Sequence, residues 1–159
     1  MDADNTIERC FEATSRTLKW TFHELGVQGV DLTGTLLKPN MVISGKGCPQ
    51  QAPASEIAER TVQCFMTHVP AAVPGIVFLS GGQSEVEATE NLNAINQIGG
   101  PWPLSFSYGR ALQASALETW GGDPANVDPA QSVFAHRARM NALAAAGEWS
   151  AEREQPVVV

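Results

Sequence analysis

The chain has 159 residues, with 10 lysines and arginines against 17 aspartates and glutamates and a formal net charge of −7. That acidic balance, a sequence pI of about 4.8 and the lack of any basic run argue against a nucleic-acid partner. Every apolar stretch is interrupted well short of the ~20 residues that span a bilayer, and no signal-peptide pattern opens the chain, so no membrane partner is expected and the expected location is the cytoplasm.

In chain order, the first expected element is a helix over roughly residues 4–25, where Ile7, Phe11, Leu18, Phe22 and Leu25 recur at helical spacing. Next comes GTLLKPNMV, Gly34 to Val42, an apolar strand-like run that delivers Lys38 to the position before Pro39. The proline biases Lys38 toward extended backbone and ends the strand there. An amine at the end of a buried strand is partly desolvated, which disfavours its charged form and frees it as a nucleophile toward a carbonyl. The other reading of this stretch is a strand-end lysine that simply reaches solvent. A loop over 39–53 leads to a helix over 53–68.

Two further runs repeat the design. Gly75-Ile-Val-Phe-Leu-Ser80 empties into Gly81-Gly82-Gln83-Ser84, and Trp102-Pro-Leu-Ser-Phe-Ser107 empties into Tyr108-Gly109-Arg110. Ser80-Gly81-Gly82 lets backbone amides approach an anion, and Ser84-x-x-Glu87 is a capping box that opens a helix over 84–98 with Ala88, Leu92 and Ile95 on one face. Gly109-Arg110 supplies a planar guanidinium suited to a phosphate where the next helix, 109–120, begins. A plain capping turn and a surface ion pair are the alternatives for these two loops. After Gly121-Gly122-Asp123-Pro124 a last helix runs over 126–147, closed by Gly147. Three strands that each end in polar or glycine residues and each lead into a helix form the βα repeat of a parallel α/β sheet, which brings Lys38, Ser80 and Arg110 to one face.

GTLLKPNMV, GIVFLSGGQSE, NLNAIN and FSYGRALQASALETWGG stand here in the order, and at nearly the spacing, seen in class I fructose-1,6-bisphosphate aldolases. The resemblance runs from about Asp4 to Trp149. It implies an α/β fold, the last three βα units plus a preceding helix of a (β/α)8 TIM barrel, since such a barrel takes ~250 residues. Residues 1–149 are then one partial barrel and 150–159 a flexible tail. By the same resemblance Lys38 is the Schiff-base lysine of the sixth strand, and Ser80, Gly81, Gly109 and Arg110 hold a substrate phosphate. The substrate is a small sugar phosphate, and the chemistry needs neither metal nor cofactor. The aspartate, glutamate and two further lysines that the family draws from its first five strands have no matching positions. Thr33 stands where the family commonly has an acid before GTLLKP, and the terminal tyrosine of many animal relatives is lacking.

The remaining polar and aromatic residues read as structural. Glu85 and Glu87 are expected as first-turn acids favouring a helix N-terminus. Asp31 and Thr33 fall at the opposite end of the Lys38 strand from the chemistry. His23, His68 and His136 each fall on a helix with no acidic partner at ligand spacing. Trp20, Trp102, Trp120 and Trp149 are expected as core or interface fillers. Cys10, Cys48 and Cys64 have no metal-ligand grouping and read as reduced thiols, the first and last on helices and Cys48 in a loop.

Three parallel strands cut from a closed barrel present two open edges and an apolar inner face. Self-association, pairing with a chain that supplies the missing strands, or an incomplete product are the outcomes to expect. The family resemblance accordingly leaves two rivals: a non-catalytic fragment that binds sugar phosphates or docks on an intact aldolase, and a Schiff-base lyase acting on another sugar phosphate.

Overall fold

A computed structural model describes residues 3–154. Five helices dominate it: α1 (Ile7–Val27), α2 (Ala54–His68), α3 (Glu85–Ile98), α4 (Arg110–Trp120) and α5 (Val127–Ala145). Strands β1 (Ile76–Phe78) and β2 (Leu104–Phe106) lie between them. The helix starts follow from local chemistry. Thr6 accepts the Arg9 amide at the head of α1, and Ser84 and Glu87 form the expected reciprocal capping box on α3, satisfying amides that a first turn otherwise leaves bare. At the far end Gly147, at φ 72°, turns the chain out of α5 as expected, while Glu148 donates back to the Leu143 carbonyl at 2.9 Å.

β1 and β2 pair in parallel, with Ile76 opposite Leu104 and Phe78 opposite Phe106. Leu37 bridges Ile76 in the same sense on the other side. The strand expected to end at Lys38 does stop there and is short: it contributes Leu37 and the Pro39 carbonyl, which accepts from Leu79 at 3.0 Å. Pro39 has no N–H to continue the ladder. Met41 and Val42, both fully buried, leave the sheet and pack inward, with the Val42 amide donating to Thr61 of α2 at 2.9 Å.

Side chains alternate across a strand, and the two faces differ. Ile76, Phe78 and Leu104 are buried on the helix-covered side, where Phe78 stacks on Phe65 of α2 with ring centroids 5.8 Å apart. Val77 and Ser105, paired across the ladder, are only half-buried and belong to the other face. Leu36 is 66% exposed, so the apolar inner face expected of a partial barrel stands open.

The packed region continues past residue 150. Ala151–Arg153 form a 3₁₀ turn, and the Glu154 carboxylate takes a bidentate pair of bonds from Arg137 of α5 at 2.9 and 2.5 Å and one from the Trp149 indole at 2.8 Å. Residues 155–159 of the expected tail lie outside the described residues. Burial alone would raise the Glu154 carboxyl, but the hydrogen bonds from Arg137 and Trp149 and the charges of Arg137 and His136 together outweigh it and hold the group below the usual carboxylate range. The acidic partner that sequence spacing did not offer His136 is this same Glu154, 3.8 Å away.

Glu154→Ala leaves the buried Arg137 guanidinium without its carboxylate and is expected to cost about 3 kcal/mol in urea unfolding. A group with a depressed folded pKa stabilises fully above its unfolded value and loses that contribution as pH falls through the folded one. The gap between the parent and Glu154→Gln is therefore expected to hold at neutral pH and to close below about pH 4.

Candidate active site

The parallel register sets every carboxyl end on one edge. Leu37, Ile76 and Leu104 are level, and the bonds from Val77 to Leu37 and from Leu79 to Pro39 put Lys38 level with Val77 and Ser105. Lys38 thus shares the face that the helices leave uncovered. Ser80 lies three residues beyond Val77, about 10 Å farther along the strand direction. Gly109 and Arg110 open α4 just after β2.

The loop after β1 is tightly held. The Ser80 carbonyl accepts from the Gln83 amide at 3.0 Å and from the Gln83 side chain at 2.8 Å. Gly81 sits at φ +60°, and a Cβ there would lie 2.1 Å from Oδ1 of Asn40, the second residue after Lys38. Only glycine fits both the left-handed backbone and that approach. Asn40 Oδ1 is itself buried without a hydrogen-bond partner. The Gln83 side chain also donates toward the Met41 sulfur at 3.6 Å and accepts from Asn91 of α3 at 2.6 Å.

The loop after β2 is anchored from its first residue. Tyr108 is buried and donates to the Ala88 carbonyl of α3 at 3.1 Å, and burial pushes its phenol well above the ordinary tyrosine range. Gly109 and Arg110 are exposed beyond it. Glu87 is held below the usual carboxylate range by the Ser84 amide and hydroxyl, in keeping with its capping role. Glu85 does more than cap: its carboxylate reaches across to α4, taking the Ser115 amide at 3.1 Å and the Ser115 hydroxyl as well.

The desolvation expected of Lys38 is not supplied by these residues, because the lysine is exposed. Three parallel segments cannot enclose a barrel axis, so its face is an open surface. A cavity of about 490 Å³ does form, between the start of α1, the 40–54 loop and the start of α3. Asn40, Gly81, Gly82, Gln83 and Asn91 line it, whereas Lys38, Gly109 and Arg110 do not.

Residues 1–158 match the family described as fructose-bisphosphate aldolase class-I. The chain belongs to that family. It is 53% identical over 151 residues to a probable fructose-bisphosphate aldolase class 1 of Xanthomonas campestris pv. campestris, covering 94% of this chain and 45% of the relative. It is 49% identical over 153 residues to a fructose-bisphosphate aldolase of Dictyostelium discoideum, covering 96% and 43%. The solved fructose-bisphosphate aldolase of Plasmodium falciparum, in complex with TRAP and a small molecule inhibitor, superposes with a TM-score of 0.91 at 48% identity, over 94% of this chain and 43% of that one. The chain spans less than half the length of the relatives it matches. Its fold is the carboxyl-terminal part of the aldolase (β/α)8 barrel.

Asn40, Gln83 and Asn91 went unnoticed in the sequence. Gln83 stands inside the SGGQ run and Asn40 directly after Lys38-Pro39, so adjacency was the available signal. Gly81→Ala is expected to cost about 1–3 kcal/mol in urea unfolding from backbone strain and the clash. Adding Asn40→Ala should restore the part due to the clash and leave the part due to φ.

Proposed function

We propose that this chain carries the nucleophile and one phosphate subsite of a class I fructose-bisphosphate aldolase. The observation that carries the reading is the level parallel register, with Lys38 on the open face and the Ser80–Gly82 and Gly109–Arg110 loops at the same edge. Lys38 attacks the ketone carbon of dihydroxyacetone phosphate or of the bisphosphate, water leaves, and an iminium forms. When the adjacent carbon–carbon bond breaks, its electron pair moves into the iminium to give an enamine. The amides of Ser80 and Gly81, with Gly109 and Arg110, take the phosphate of the dihydroxyacetone half and fix that carbon against the amine. The four-carbon stem of the lysine and the substrate's own chain span the step between the two levels.

In the whole enzyme the reaction is the reversible cleavage of fructose 1,6-bisphosphate to dihydroxyacetone phosphate and glyceraldehyde 3-phosphate, in glycolysis and gluconeogenesis in the cytoplasm. The proton-transfer groups and the second phosphate site belong to the half of the family fold that these 159 residues do not match, so turnover by this chain alone is expected to be at most trace. The exposed Lys38 favours a second reading, in which the chain binds sugar phosphate without catalysis until its open face is covered. The cover is a second copy of this chain or an aldolase chain bearing the complementary strands, and the exposed Leu36 and the side of the Leu37 segment away from β1 are where it would seat.

Borohydride trapping with dihydroxyacetone phosphate, followed by peptide mass spectrometry, is expected to place the reduced adduct on Lys38 and to fail with Lys38→Met. An adduct that persists on other lysines in Lys38→Met refutes the assignment. Arg110→Lys keeps the charge but loses the planar fork, and is expected to lower trapping of the phosphorylated ketone by about tenfold.

A further inference from the structure

The two loops come from different strands, yet both are fastened to one turn of α3. The loop after β1 is held through Gln83, whose side-chain oxygen accepts from the Asn91 side-chain nitrogen at 2.6 Å while its own side-chain nitrogen donates to the Ser80 carbonyl at 2.8 Å. The loop after β2 is held through Tyr108, whose hydroxyl donates to the Ala88 carbonyl at 3.1 Å. Ala88 and Asn91 are three residues apart on the helix, neighbours on one face about 5–6 Å apart. Both are buried. Glu85, one turn earlier, pins α4 through Ser115, and α4 carries Arg110 in its first turn. Gln83 also touches Met41, three residues beyond Lys38.

We propose that α3 is the gauge that sets the separation of the two phosphate loops, with Gln83 and Tyr108 as positioning residues that act through Ser80–Gly81 and Gly109–Arg110 respectively. The inference rests on the phosphate-site reading above. An anion held by amides of one loop and a guanidinium of the other needs both within hydrogen-bond reach at once, and a misplacement of about 1 Å can cost as much as a hundredfold in rate. Neither residue needs to touch the substrate. Each fixes where a loop that does touch it leaves the sheet, and their shared attachment keeps the two settings in step.

The test compares borohydride trapping of Lys38 by dihydroxyacetone phosphate with trapping by dihydroxyacetone, in the full 159-residue chain. The phosphate-free ketone reports the lysine alone, and the ratio of the two reports the loops. Gln83→Ala and Tyr108→Phe are each expected to lower that ratio by about tenfold while leaving the rate with dihydroxyacetone unchanged. Asn91→Ala, which removes the anchor of Gln83 and leaves Gln83 in place, is expected to do the same and stands in if Gln83→Ala does not fold. Variants that keep the parent's ratio, or that lose both rates in parallel, overturn the positioning role and leave the phosphate site standing. A parent chain that shows no preference for the phosphorylated ketone overturns the site reading and this inference with it.

Discussion

In a parallel sheet one hydrogen-bond register fixes two things together: which side chains share a face, and which chain ends share an edge. Here the level set by Leu37, Ile76 and Leu104 sends Phe78 and its neighbours into the helices and leaves Lys38 with Val77 and Ser105 on the other side. A slip of one residue between the Leu37 segment and β1 would turn Lys38 into the helix layer. The ladder is short, so its register cannot rest on backbone bonds alone. It rests on burial of Ile76, Phe78, Met41 and Val42, none of which has more than 1% of its surface exposed.

Helix α3 organises what the sheet cannot. Its first turn receives the amide-rich loop after β1 through the Ser84–Glu87 capping box, its middle holds both loops through Asn91 and Ala88, and Thr89 joins it to α5 through Arg137 at 3.1 Å. Arg137 in turn holds Glu154, which fastens the chain after α5. Buried polar groups so completely bonded favour one arrangement of helices over its neighbours. Asn40 Oδ1 is the exception among the described side chains, and it sits where the Lys38 segment meets Gly81.

Much of this is legible in the sequence. Capping residues are short-range signals, so Ser84-x-x-Glu87 and Gly147 fixed helix ends closely, and the long motifs carried the family and the barrel class. Pro39 ends the Lys38 strand where its missing N–H predicts, and Met41 and Val42 are buried off the sheet; what apolar content did not show is that only Leu37 of the run before it bridges β1. The solvation of Lys38 was misjudged because burial of a barrel lysine comes from strands on every side, a property of the closed fold rather than of GTLLKP. Glu85 with Ser115, Gln83 with Asn91 and His136 with Glu154 pair across 8 to 30 residues, separations at which side-chain partners leave no periodic trace. Trp102 and Trp149 fill the core as expected, while Trp20 and Trp120 are exposed.

The central claim is that two loops from separate strands form one anion site at the edge that carries Lys38. Amide-resolved NMR titration of the chain with inorganic phosphate tests it most directly. The account predicts that the amides of Ser80, Gly81, Gly109 and Arg110 shift together along a single saturation curve. Shifts confined to one loop, or two loops saturating at different concentrations, would contradict it.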